Sequence, residues 1–255
     1  MKKYITLAAL LAAGTACANA AELISSFSSF TGEGQTDSQG LLTVLSASED
    51  GITYVDGVAC FDGANVMYIA DADAPGQAFG GTVCSEGLTV TMTLSGVAVT
   101  SSTINAVVTA HTTGASNWGI GLTSGGKKLQ GTWGSGVYGN GVQTQTDVDL
   151  TGSFVLTLVC AANGTYAYVD GELVYHNTSL FSSSSSHGFK QLNIGAMSSG
   201  SDGAKMNLHS LYVHKGAMTS SEVASFVASI PEPSAFGMLA GLGALALVAA
   251  RRRRK

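Results

Sequence analysis

The residues able to do acid–base or metal chemistry are few and far apart. Glycoside hydrolysis needs two carboxyl groups about 5 Å apart, or further for inversion. The acid pairs here are Glu49-Asp50, Asp71-Ala72-Asp73 and Asp147-Val148-Asp149. Of these, Asp147 and Asp149 would share one face of a strand, and solvated loop or strand-edge acids are the ordinary reading of all three. Asp71-Ala72-Asp73-Ala74-Pro75-Gly76 alternates hard oxygen donors before a glycine, a pattern that suits calcium. It lacks the further acids of an EF-hand loop, with Pro75 and Thr82 where two ligands would stand, so a plain turn is the stronger expectation. His209 and His214 are five apart on one expected strand, which places them on opposite faces. His111, His176 and His187 are isolated among Thr, Asn and Ser. Spacing therefore names no catalytic residue, no metal site and no cofactor, and the chain reads as a non-enzyme.

Binding has better candidates. Trp118, Trp133 and Tyr138 fall in the glycine-rich stretch 114–141, close to Asn117, Gln130 and Asn140. Flat aromatics beside amides suit polar ligands with apolar faces, such as sugars. The competing expectation puts both tryptophans in a core. Beyond residue 20 the cysteines are Cys60, Cys84 and Cys160. An oxidising compartment would permit a disulfide, and three pairings are open, each leaving one thiol. Cys60 with Cys84 is the shortest-range choice, set against buried free thiols. No CxxC metal spacing is present.

The elements that must position these residues are strands. Short runs rich in Val, Ile, Thr and aromatics recur between Gly, Asn, Asp and Ser. They include Gly51–Val55, Val58–Phe61, Asn65–Ile69, Leu88–Leu94, Ile104–Thr109, Trp118–Leu122, Ser153–Cys160, Tyr166–Val169, Leu173–Tyr175, Leu192–Ile194 and Leu208–Val213. In Ser153–Cys160, Phe154, Leu156, Leu158 and Cys160 share one side. Asp56-Gly57 and Asp170-Gly171 are tight-hairpin signals, because both positions of a type I′ turn need positive φ. Strands at this spacing predict a two-sheet sandwich rather than βαβ units. One helix is expected near the end: Thr219-Ser220-Ser221-Glu222 has capping-box spacing, with Val223, Phe226 and Val227 on one face.

Both termini carry addresses. Lys2 and Lys3, the apolar run Ile5 to Ala13, and Ala18-Asn19-Ala20 form the regions of a secretory signal peptide over residues 1–20, which implies the Sec export machinery and signal peptidase as partners. At the other end Pro231-Glu232-Pro233 precedes an uncharged run, 234–250, and then Arg251-Arg252-Arg253-Arg254-Lys255. As a helix that run spans roughly 25 Å, near the lower limit for crossing a bilayer core. The five cations should stop the C-terminus in the cytoplasm and leave the body outside. Residues 231–255 resemble the PEP-CTERM sorting signal of Gram-negative bacteria. The resemblance implies an exosortase as partner, transient anchoring in the inner membrane, and final delivery to the cell surface or extracellular matrix.

Charge excludes other partners. The chain has a net charge of −5, but the segment between the two signals, residues 21–230, keeps five lysines, no arginine and sixteen acids, a net −11. An acidic body without arginine has no basic footprint for nucleic acid and lacks the fork suited to bidentate anion recognition. Charged residues make up 11% of the chain against about 25% in typical domains, so Gly, Ser and Thr must supply the surface.

Phe61-Asp62-Gly63, Phe154–Cys160, Asn163-Gly164, Tyr166-Ala167-Tyr168-Val169-Asp170-Gly171-Glu172-Leu173-Val174, Leu192-Asn193-Ile194-Gly195 and Leu208–Val213, followed by Met218-Thr219-Ser220-Ser221-Glu222-Val223, occur in that order. The succession resembles the concanavalin A-like, laminin-G-like jelly roll. It implies an all-β fold over residues 21–230: a two-sheet jelly-roll sandwich with one short C-terminal helix, between a signal peptide and a C-terminal membrane helix. Retaining glucanases of that fold carry Glu-x-Asp-x-x-Glu on one strand face, and no such motif is present here. The expected function is a non-catalytic binding module at the surface or in the matrix, with extracellular polysaccharide as the ligand class. The alternatives are a glycan-active hydrolase of the same fold and a purely structural matrix or biofilm component.

Overall fold

A computed structural model describes residues 21–46, 52–82, 84–99, 105–113, 117–122, 129–134, 148–150, 152–161, 163–177, 187–196 and 203–231. The strands are β1 (Glu22–Phe27), β2 (Leu42–Ser46), β3 (Thr53–Val55), β4 (Val58–Asp62), β5 (Met67–Asp71), β6 (Leu88–Val99) and β7 (Asn105–Thr112). They continue with β8 (Asn117–Leu122), β9 (Leu129–Gly134), β10 (Phe154–Ala161), β11 (Gly164–Val169), β12 (Glu172–Asn177), β13 (Phe189–Ile194) and β14 (Ala204–Lys215). A helix, α1 (Ser220–Ser229), follows. The expected signal peptide, the segment 234–250 and Arg251, Arg252, Arg253, Arg254 and Lys255 lie outside the described residues, as do Glu232 and Pro233.

Two antiparallel sheets form a jelly-roll sandwich. One has the order β12-β11-β10-β6-β14-β4-β3, with β1 also paired to β14; the other has the order β2-β5-β13-β7-β8-β9. Alternation decides what each strand buries. Leu88, Val90, Met92 and Leu94 of β6 face the second sheet and are fully buried, as are Leu42, Ile69, Val108, Ile120 and Leu192 across from them. Leu156, Leu158 and Cys160 of β10 lie in the same core, as their spacing predicts.

Both Asp-Gly hairpins are present. Asp56 and Gly57 have φ of 50° and 82°, and Asp170 and Gly171 have 51° and 87°. Asp170 adds a lock: its Oδ1 accepts from Val155 N–H at 2.8 Å. Helix α1 begins with the expected capping box, in which Thr219 N–H donates to Glu222 Oε2 at 2.7 Å and Glu222 N–H to Thr219 Oγ1 at 3.3 Å.

The helix packs on the outer side of the eight-stranded sheet. Val223, Phe226 and Val227 meet Val159, Tyr166 and Tyr168 there. Beneath them runs a line of threonines on β6. Thr89 Oγ1 donates to Gly216 C=O and accepts from Met218 N–H, while Thr91 bonds Thr157 and Thr93 accepts from Ser210. Polar side chains buried this way keep partners, which removes most of the cost of taking them out of water.

Two findings alter the sequence-based expectation. The pairing of β14 with β6 shifts register between Lys205 and Asn207 and again between Leu208 and Ser210. His209 is the extra residue at the second bulge, and its Nε2 lies 2.7 Å from Ser95 Oγ on β6. Ser95 and Thr89 share the outer side, and Thr89 is the partner of His214. His209 and His214 thus lie on the same face, because an inserted residue breaks the two-residue period. The second finding is that β1, β2 and β9 are additional strands, and β6 and β14 run well beyond the expected Leu88–Leu94 and Leu208–Val213.

Candidate functional site

Trp118 is not a ligand platform. It is fully buried in the core, edge-on to Phe189 with ring centres 6.4 Å apart. Its indole N–H donates to Thr165 Oγ1 on the opposite sheet at 2.9 Å. A large apolar ring with one polar atom is buried favourably when that atom finds a partner. Trp133 pairs with Trp118 in the β8–β9 ladder; its side chain and all of Tyr138 lie outside the described residues.

The Cys60–Cys84 pairing also fails. Ala59 and Phe61 of β4 point into the core, so Cys60 between them points outward, where its thiol lies 3.9 Å from Val58 C=O. Cys84 is buried in the core cluster. The sheet itself separates the two; Cys60, Cys84 and Cys160 are all free thiols in this structure. At the Asp71 turn, Asp71 Oδ1 accepts from Asp73 N–H at 2.9 Å and Ala74 N–H at 3.0 Å. That carboxylate closes its own turn. Among the described residues no cluster of three or more His, Cys, Asp or Glu side chains is arranged to hold a metal.

The second sheet offers a different surface. Its outer side, opposite the core, carries two cross-strand rows. One runs Leu45, Tyr68, Asn193, Thr109, Gly119 over five strands. The neighbouring row runs Thr43, Ala70, Gln191, His111. Asn193 joins the rows. Its Oδ1 accepts from Gln191 Nε2 at 2.6 Å, and its Nδ2 donates to His111 Nε2 at 2.8 Å. With Nε2 as acceptor, His111 is neutral and carries its proton on Nδ1. Burial, and then the Lys190 charge, lower its pKa, which favours that state.

Two features make this face unlike an ordinary sheet surface. Thr109 is nearly buried, and its Oγ1 has no hydrogen-bond partner. A buried hydroxyl without a partner is uncommon, and it costs stability unless something else satisfies it. Beside it, Gly119 leaves the floor without a side chain, since a Cβ there would meet Val108 C=O at 2.5 Å and Thr109 Cγ2 at 2.7 Å. A glycine inside a strand marks such a close approach. Tyr68, Gln191 and His111 rise half-buried around this floor. Asn193 itself is fully buried, so Tyr68, Gln191 and His111 are the polar groups around it that solvent reaches.

Comparison with known proteins matches this architecture. The model of the concanavalin A-like lectin/glucanases superfamily matches residues 81–224. The chain belongs to that superfamily. The PEP-CTERM protein-sorting motif matches residues 229–254, which marks an exported protein and implies processing by an exosortase. No curated protein sequence matches the chain significantly.

Several solved structures share the fold at low identity. Trypanosoma rangeli sialidase in complex with the inhibitor DANA has a TM-score of 0.62 at 13% identity, over 80% of this chain and 32% of that one. A botulinum neurotoxin type C structure, described as interacting with two ganglioside molecules, gives 0.56 at 12% identity, over 83% and 52%. Domain 4 of AbnA, an extracellular arabinanase of Geobacillus stearothermophilus, in complex with arabinotriose, gives 0.54 at 18% identity, over 82% and 99%. The chain thus spans about a third of the sialidase's length and nearly all of the arabinanase domain.

Proposed function

We propose that this protein is a non-catalytic carbohydrate-binding module, sorted to the cell surface or its matrix, and that the outer side of the six-stranded sheet is its ligand face. The unpartnered hydroxyl of Thr109, between the Asn193 amide and the side-chain-free Gly119, carries the reading. Sugar hydroxyls donate and accept at once, which is what an orphaned hydroxyl beside a fixed amide can use. Tyr68 at the same level offers a ring for the apolar side of a pyranose or furanose. Support of a general kind comes from the similar structures: a sialidase solved with an inhibitor, an arabinanase domain solved with arabinotriose and a neurotoxin described as interacting with gangliosides. Fold alone does not transfer a ligand, so the face must be tested by itself.

The test is glycan-array and affinity-gel binding by the exported protein, with extracellular polysaccharide of the producing cell included. Tyr68→Ala and Gln191→Ala should each weaken binding about tenfold, the loss expected for roughly 1.4 kcal/mol of contact. Binding indifferent to both changes, or no glycan binding at all, removes this assignment. Sustained release of reducing sugar would replace the non-catalytic reading with that of a hydrolase.

A further inference from the structure

The core places two thiols on one side of the eight-stranded sheet and the third on the other. Cys84 and Cys160 belong to the same buried cluster, whereas Cys60 points out between Ala59 and Phe61. Of the three pairings, only Cys84 with Cys160 does not require a sulfur to cross a sheet. The backbone brings these two segments together. Cys160 is the ladder partner of Leu88, just after the turn that carries Cys84. Gly87 lies against Cys160 so closely that a Cβ on it would come within 2.6 Å of Cys160 C=O. Main-chain bonds hold the segment on both sides: Cys84 N–H donates to His187 C=O at 2.8 Å, and Gly216 N–H to Gly87 C=O at 3.1 Å.

We propose that Cys84 and Cys160 are joined by a disulfide in the exported protein, and that Cys60 remains the one free thiol among the three. The sorting motif places the domain outside the cytoplasm, where thiols oxidise. Two thiols lose two protons and two electrons as the sulfur–sulfur bond forms. The two electrons and two protons pass to the disulfide of a thiol oxidant, giving the dithiol of an oxidoreductase in the cell or two molecules of glutathione from oxidised glutathione in vitro. Burial pushes the Cys84 thiol up to about 11 and the Cys160 thiol well above its ordinary value, and the nearness of Cys84 raises Cys160 further. Thiols so suppressed are poor nucleophiles once covered, so the bond forms as the chain folds after export and is then protected. It would close residues 84–160 into a loop, tying the start of β6 to the end of β10 and limiting the unfolded chain.

Protein recovered from outside the cytoplasm should be denatured and treated with iodoacetamide, first without and then after reduction, and its peptides weighed. The expected result is Cys60 alkylated in the first step and Cys84 and Cys160 only after reduction, with their peptides linked and two hydrogens lighter. Alkylation of Cys84 and Cys160 before reduction, or a bridge containing Cys60, overturns the proposal. Dithiothreitol should also lower the thermal midpoint of the native protein by several degrees while leaving that of a Cys84→Ser, Cys160→Ser double variant unchanged. An equal response of the two proteins would count against the bond.

Discussion

Trp118 and Thr165 tie the two sheets of the sandwich together: the indole on β8 donates to the threonine hydroxyl on β11 across 2.9 Å. The bond is polar, yet it lies within an apolar layer, so its loss is felt twice, in packing and in an orphaned hydroxyl. Trp118→Ala should cost about 3–5 kcal/mol, and Trp118→Phe about 1–3 kcal/mol, measured as a shift of the urea midpoint. The folded Trp118→Phe protein should bind ligand as the parent does. Binding lost without loss of stability would return Trp118 to the ligand site.

Acid should loosen the α1 side of the domain. His214 is buried against Phe226, ring centres 4.7 Å apart, with Nδ1 unpartnered, and burial lowers its pKa to about 4. An unfolded histidine titrates near 6.5, so below that pH the unfolded chain takes up the proton first. The contribution of neutral His214 is intact above about pH 6.5 and falls as the pH drops toward 4, by at most about 3 kcal/mol. His111 and His209 are shifted down as well and act in the same direction. Urea midpoints between about pH 7 and about pH 5 should therefore fall, and His214→Leu should flatten the slope in part. An unchanged slope in the variant would contradict this account.

Removing the cap should fray the helix without unfolding the sandwich. Thr219→Ala deletes both side-chain contacts to Glu222, at a cost of about 1 kcal/mol. Hydrogen exchange should quicken across Ser220–Ser229 while β6 and β14 keep their protection. Equal quickening everywhere would mean that α1 and the sheets unfold as one unit.

Processing gives the fourth expectation. The sorting motif at 229–254 should be cut near Pro231-Glu232-Pro233, so intact mass of native material should lack Arg251 to Lys255. Material that keeps those five residues would show a permanent anchor instead. Changing Pro231 and Pro233 to Ala should leave the uncut form in the membrane fraction.

Local features of this chain were legible because they are written in adjacent residues. Asp56-Gly57, Asp170-Gly171 and Thr219–Glu222 each specify their geometry within four positions, and the alternation through Phe154 to Cys160 states which side is core. Distant partners leave no such trace. His111 and Asn193 are 82 positions apart, and only the order of strands makes them neighbours. The pattern around Trp118 is ambiguous for a physical reason: alternation with glycine fits a bare platform on one side and a buried ring on the other. The bulge at His209 defeats counting outright, since one extra residue changes the face of everything beyond it. β1 and β2 hid behind serine and threonine, which suit a strand's solvent side as well as a loop.

Helix α1 lies on the outer side of the eight-stranded sheet and ends two residues before Pro231. The proposed ligand face is the outer side of the other sheet, with the whole thickness of the sandwich between. A chain held through its carboxyl end is therefore held by its back. Residues Tyr68, Gln191 and His111 would look away from the point of attachment, and an anchored molecule would meet polymer in the surrounding medium without first having to turn over.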